Sequence, residues 1–267
     1  PPRSTPKPSS AASDVYKRQI MFKTKVNFFA ILITFNFGIS QIKASKTAIW
    51  EPVPKKVDAY SFSKAPSDAT ILFDGKSFSK WVGQYSNKVP KWKINEDGSM
   101  TVINGTGGIK TKESYGSVQL HIEWKTNENT ENSEEQNRSN SGVFLQQNYE
   151  IQILDSYENP TYVNGQAGSV YKQHIPLVNS SKKPGEWQSY DIIFNAPVFE
   201  NKNLLKPGYF TVFQNGVLIQ NHVEIKGTTT NVGPPSYEPH GKLPLVLQDH
   251  PKTPVSFRNI WIRKITN

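Results

Sequence analysis

The sequence predicts an all-β protein, and three observations carry that expectation. Ser117–Lys125 alternates strictly, with Val118, Leu120, Ile122 and Trp124 against Gln119, His121, Glu123 and Lys125, the pattern of a half-buried strand. Two dipeptides, Asp97-Gly98 and Asn215-Gly216, each sit between alternating segments, where they accept the positive φ of a type I′ hairpin turn. No segment keeps a helical period over three turns. Many short strands divided by Gly, Pro and Asn argue for a β-sandwich or barrel and against an α/β fold.

In chain order, residues 1–20 precede Met21 and are expected to be upstream sequence outside the fold. Residues 21–44 read as a signal peptide. Lys23 and Lys25 make a basic start, Val26–Phe37 is an apolar core interrupted by two Asn and a Thr, and Gly38-Ile-Ser40 offers a cleavage site, with Ala44 as the alternative. A membrane anchor is the other reading, but the stretch is shorter than the roughly 20 apolar residues needed to span a bilayer. A secreted or periplasmic protein is therefore expected. The chain has no Cys, so a lipoprotein anchor is excluded and stability must come from burial and strand pairing.

Residues 45–69, with Pro52, Pro54 and Pro66, are expected to form a linker or arm, and residues 70–267 the domain. Within it, Trp92–Val102 and Phe210–Ile219 read as hairpins, and Trp187–Phe194 and Val255–Ile265 as further strands. Glu128–Arg138 is polar and aperiodic, a surface loop. Asn159–Pro184 is long and carries Tyr162, Tyr171 and His174, and a loop of that length in a compact domain tends to be a functional lid or wall.

The net charge of +9 suggests nucleic acid as a partner, but residues 1–44 hold seven Lys/Arg and one acidic residue. The remainder carries 24 basic against 21 acidic residues and no basic run interleaved with aromatics, which argues against nucleic-acid binding. The segment richest in chemistry is Asn140–Tyr157. A strand here projects Glu150 and Gln152 to one side, and Asp155, one residue out of phase, joins them if a bulge near Ile153–Leu154 shifts the register.

Five runs, Leu72–Trp81, Arg138–Phe144, Tyr149–Tyr157, Pro184–Asp191 and Pro244–His250 followed by Phe257–Trp261, together resemble the 3-keto-disaccharide hydrolase family over about residues 70–265. The resemblance implies a concanavalin A-like jelly-roll β-sandwich, usually exported, and a substrate already oxidised to a ketone at sugar C3. Such a ketone acidifies the C2 proton, so the glycosidic bond can break by elimination and hydration. That route needs a base at C2, donors for the enolate oxygen and an acid for the leaving group.

The candidate catalytic residues are Glu150 as base or metal ligand, Asp155 as its carboxylate partner, and His250 as acid, base or ligand. Arg138, Asn140, Gln152, Tyr171, His240, Glu123 and His121 are candidates for holding the sugar, His121 and Glu123 only if their face of the strand is the concave one. Trp187 is expected in the core. No spacing marks a metal site, although a divalent ion assembled from the dispersed Glu150, Asp155 and His250 would suit enolate chemistry. Neither a Gly-x-Ser-x-Gly elbow nor a phosphate-cradling loop is present. Two rival functions stay open: a non-catalytic carbohydrate-binding module on the same fold, and a glucanase-like hydrolase, whose paired carboxylates the spacing Glu-x-Gln-x-x-Asp only partly reproduces.

Overall fold

The computed structural model describes residues 47–265 apart from 60, 62, 63, 131, 132 and 253. The expected upstream segment and signal peptide lie outside them. Among the described residues no helix is long and apolar enough to cross a membrane. The chain divides between Lys56 and Val57, and every strand belongs to the second part.

Fifteen strands are described: β1 (Thr70–Phe73), β2 (Trp81–Gly83), β3 (Lys93–Ile94), β4 (Met100–Thr101), β5 (Ile109–Tyr115), β6 (Val118–Lys125), β7 (Ser141–Leu145), β8 (Tyr149–Ile153), β9 (Gln188–Asn195), β10 (Val198–Glu200), β11 (Asn203–Lys206), β12 (Tyr209–Gln214), β13 (Val217–Glu224), β14 (Leu243–Leu247) and β15 (Ser256–Lys264). An eight-stranded sheet runs β13, β12, β9, β6, β15, β4, β3, with β1 also on β15, and a five-stranded sheet runs β2, β5, β14, β7, β8. The pairings are antiparallel and most neighbours are distant in the chain, which makes this a jelly-roll β-sandwich.

The alternation in the sequence explains the layering. Val118, Leu120, Ile122 and Trp124 of β6 are fully buried, and Val143, Leu145, Tyr149, Ile151 and Ile153 of the smaller sheet join them in one core. Each such side chain contributes about 1.5–3 kcal/mol on burial. The Tyr149 and Phe194 rings meet across the sandwich at 5.9 Å, and the Tyr190 hydroxyl donates to the Gln152 carbonyl at 2.8 Å, pinning the two sheets together.

Both expected hairpins form, by different turns. Asn215 (φ 53°) and Gly216 (φ 79°) are both left-handed, as a type I′ turn requires. At the other, only Gly98 has positive φ, because the Asp97 carboxylate accepts from the Ser99 amide (3.0 Å) and hydroxyl (2.6 Å) and holds a wider Asn95–Ser99 turn.

The long loop Asn159–Pro184 is a wall built onto the sheet. Its Gly168–Tyr171 segment runs along the free edge of β8: Gln152 N donates to Ser169 O (3.0 Å), and Gly168 N and Tyr171 N donate to Gln152 O (2.9 Å) and Glu150 O (3.3 Å). An edge that would otherwise invite another chain is covered, and Tyr171 is fixed next to Glu150.

Candidate active site

On the outer face of the five-stranded sheet lies a cleft of about 480 Å³. Strand alternation builds its floor. Because Tyr149, Ile151 and Ile153 point into the core, Glu150 and Gln152 point out, and the antiparallel register sets Phe144 opposite Glu150 and Gly142 opposite Gln152. Asn140, Gln136 and Asn137 form one side, Tyr162 and Tyr171 another, Thr229 and Asn231 a third, and Gln248 and His250, beyond β14, complete it.

Glu150 is the most perturbed group of the cleft. Burial pushes its carboxyl from an ordinary 4.5 up to about 8, so it carries its proton at neutral pH. With its amide turned so that the nitrogen faces Glu150, Gln152 donates to Glu150 Oε1 at 3.0 Å and to the Ser141 carbonyl at 3.1 Å. Gly142 leaves room for this carboxyl: a Cβ there would stand 2.3 Å from Glu150 Oε1 and 2.6 Å from the Phe144 ring. Gly142→Ala is therefore expected to keep the fold, since only side-chain ends must shift, and to lower turnover about 10²-fold by displacing the acid. Thermal melting read beside steady-state kinetics checks both halves.

His250 is half-buried, and its Nδ1–H donates to the Pro251 carbonyl at 3.2 Å, which leaves Nε2 as the basic nitrogen. Gln248, two residues earlier, carries a buried Oε1 that no protein donor reaches. The tyrosines are braced as well: Tyr162 and Tyr171 hydroxyls are 2.7 Å apart, Tyr171 also donates to Asn231 Oδ1 (3.2 Å), and Lys172 Nζ holds the Asn231 carbonyl at 2.6 Å. Burial drives the Tyr171 hydroxyl above its ordinary range, so it stays a neutral donor.

Of the residues expected from sequence, Glu150, Gln152, Asn140, Tyr171 and His250 come together in this cleft. Asp155 does not. The β7–β8 register is continuous over all five pairs and β8 ends at Ile153, so no bulge turns Asp155 toward Glu150. Its carboxylate is 1% exposed, takes Arg138 Nε (2.9 Å) and Nη2 (2.5 Å) on one oxygen and the Tyr157 amide (3.1 Å) on the other. Arg138 is thereby bound to Asp155 and lines no part of the cleft. The dispersed metal set fails with it, and among the described residues no group of three His, Cys, Asp or Glu is arranged to hold a metal ion.

His240 is also elsewhere: it accepts from the Tyr149 hydroxyl at 2.7 Å and packs on Tyr149 and Phe199, at the end of the core. His121 and Glu123 lie on the outer face of the other sheet, the side away from the core. Burial pushes His121 down, but hydrogen bonds to Asp191 (2.7 Å) and Glu123 outweigh it and raise the imidazole to about 8. Trp187, expected in the core, is half-exposed on that same outer face, with the Arg258 guanidinium 4.1 Å from its ring centre.

Sequence reasoning missed Gln248, Phe144, Thr229, Asn231, Gln136 and Asn137, and named Tyr162 only as part of the Asn159–Pro184 wall. Phe144 had a signal, because it faces Glu150 once the hairpin register is set. The others come from irregular loops, where no periodicity reports on direction.

Residues 68–263 match the family model of the 3-keto-alpha-glucoside-1,2-lyase-like domain. The chain belongs to this family. Among its relatives is a 3-keto-disaccharide hydrolase of Bacteroides thetaiotaomicron, 28% identical over 204 residues, a match that takes in 62% of this chain and 64% of that protein. The chain thus spans just under two thirds of this curated relative. Among solved structures, a candidate glycosyl hydrolase from Parabacteroides distasonis is 47% identical, with a TM-score of 0.79 over 83% of this chain and 96% of that one. A second from the same organism, 20% identical over 79% of this chain and all of that one, has a TM-score of 0.57 and bears on the fold alone. For this family member, the matched region contains every residue of the cleft.

Proposed function

We propose that the cleft breaks the glycosidic bond of 3-keto-glycosides by elimination across C1 and C2, followed by hydration. The observation that carries this is the pairing of one buried, protonated carboxylic acid with one imidazole. Glu150 is the sole carboxyl residue among the described residues lining the cleft, and His250 lines the same cleft with Nδ1 turned to the Pro251 carbonyl. Two-carboxylate glycoside hydrolysis requires a second acid, which Asp155, bound to Arg138, is not free to supply.

In this reading His250 Nε2 takes the C2 proton, the electron pair moves toward the C3 carbonyl, and cleft donors such as the Thr229 hydroxyl and the Asn231 amide donate to the enolate oxygen. The enolate then expels the C1 oxygen, to which Glu150 gives its proton, leaving a C1=C2 double bond. Water added across that bond, with its proton returned to C2 and its hydroxyl to C1, completes a net hydrolysis. A family described by a 1,2-lyase and a relative described as a hydrolase fit the same sequence of steps. The acid role replaces the base expected from sequence, because a group that titrates near 8 holds its proton at neutrality. Export is part of the proposal and rests on the pattern of residues 22–40; cell fractionation tests it.

Turnover of a 3-keto-glucoside in deuterated water is the deciding experiment. Elimination and hydration leave one solvent deuteron at C2 of the product above an enzyme-free control, and direct hydrolysis leaves none. No product from either the keto or the unoxidised substrate, with saturable binding of both, would favour a binding module. The pH profile gives a second expectation: kcat/KM falls above about pH 8 as Glu150 loses its proton. A rate that instead climbs through pH 8 makes Glu150 the base. His250→Ala is expected to lower kcat by about 10²–10⁴-fold.

A further inference from the structure

The outer face of the eight-stranded sheet carries a second groove, of about 440 Å³, that shares no residue with the cleft around Glu150. A plain solvated sheet face does not bury charge, and this one does. At its floor Glu123 is 7% and His121 2% exposed, yet both are held in an ionic chain: Arg258 Nε to Glu123 Oε2 (2.5 Å), Asn259 Nδ2 to Glu123 Oε1 (2.8 Å), and His121 Nδ1 to Asp191 Oδ1 (2.7 Å). His121 is stacked against Trp261, its cross-strand partner on β15, 5.2 Å between ring centres and 12° from parallel.

The backbone is bent to make this arrangement. The register of β15 on β6 slips between Arg258 and Trp261, with Asn259 in the left-handed region at φ 47°. In a regular strand Arg258 and Asn259 would point to opposite faces; the bulge turns both onto Glu123. Asn takes this conformation more readily than most residues, and a bulge is a usual device for re-aiming side chains on a sheet face.

Above this floor the groove is rimmed by Trp187, Ser189, Asp191, Asn215, Lys182 and Arg258. Their chemistry is mixed. Asp191 is 38% exposed on its side chain and repels a free anion, while Arg258 and Lys182 repel a cation. A neutral sugar meets both demands, because each of its hydroxyls donates and accepts at once. We propose that this groove binds a neutral sugar residue of an oligosaccharide, apart from the cleft on the opposite sheet, and holds a glycan chain to the enzyme. The inference stands on the groove alone and survives if the elimination chemistry is wrong.

Neutral hexasaccharides of glucose, namely cello-, malto- and laminarihexaose, are titrated into the native protein, with hexagalacturonate as the acidic counterpart. At least one neutral hexasaccharide is expected to bind, and Trp187→Ala and Asp191→Asn are each expected to weaken it about tenfold. Turnover of a small soluble 3-keto-glucoside should stay within about twofold of native in both variants. Melting temperatures report whether each variant is folded, and Asp191→Asn, which keeps size and an acceptor for His121, carries the test if Trp187→Ala unfolds. The proposal is overturned if no neutral hexasaccharide binds, if the acidic one binds better, if binding is indifferent to both variants, or if the small substrate loses turnover in step with glycan binding.

Discussion

Glu150→Gln is expected to reduce turnover of a 3-keto-glucoside by about 10³–10⁴-fold, the scale of a lost proton donor, while leaving the fold intact and stabilising it in alkali. The same burial that makes the acid useful creates the second effect. In the unfolded chain this carboxyl titrates at its ordinary 4.5, and in the folded protein at about 8. Between those values the native state keeps a proton that the unfolded state has released, so stability falls as pH rises. The contribution is full below about 4.5, declines through the window and is flat above about 8. Its size is about 3–6 kcal/mol, large against a typical domain stability of about 5–15 kcal/mol. The amide of the Glu150→Gln variant has no proton to lose, so its urea midpoint should lack this decline and exceed that of the native protein at about pH 9, with the two converging near pH 4. Parallel midpoints at all pH values would show that the carboxyl is not held neutral, and the acid role would go with it.

The sheets and much of the cleft floor were legible because strand chemistry repeats every two residues. Alternation in Ser117–Lys125 gave β6 its buried face, and Glu150 and Gln152 had to share a side once Tyr149, Ile151 and Ile153 entered the core. Asp155 was misplaced for the complementary reason: past the last paired residue the period ends, and direction is set by whichever partner takes the side chain, here Arg138. Alternation also cannot say which outer face is the cleft. It set His121 and Glu123 on a polar side correctly, but that side belongs to the other sheet. Trp187 misled because a large aromatic next to a strand suggests core, whereas here cationic side chains cover its ring. The cleft walls were illegible: Asn231 is positioned by Lys172 and Tyr171, contacts 59 and 60 residues apart in the chain.

Arg138→Ala should separate the two roles available to this arginine. Had Arg138 gripped the sugar, its loss would raise KM and leave stability alone. The structure gives it the other role. It neutralises the buried Asp155, and its own carbonyl accepts the Asp155 amide at 3.0 Å, tying the turn after β8 to the segment that carries Gln136 and Asn137 into the cleft. Removing one member of a buried ion pair leaves an uncompensated charge, and the expected loss is about 3–5 kcal/mol near neutral pH. Burial already raises the Asp155 carboxyl despite Arg138, and without Arg138 nothing but the Tyr157 amide opposes that rise. The variant should therefore take up a proton at Asp155, so its deficit relative to the native protein should shrink as pH falls. Arg138→Met combined with Asp155→Asn should recover much of the stability, because the amide is neutral and its oxygen can still accept from Tyr157 N. If the double variant regains stability and turnover together, Arg138 acts through the wall it supports; stability regained with KM still high would return it to the substrate.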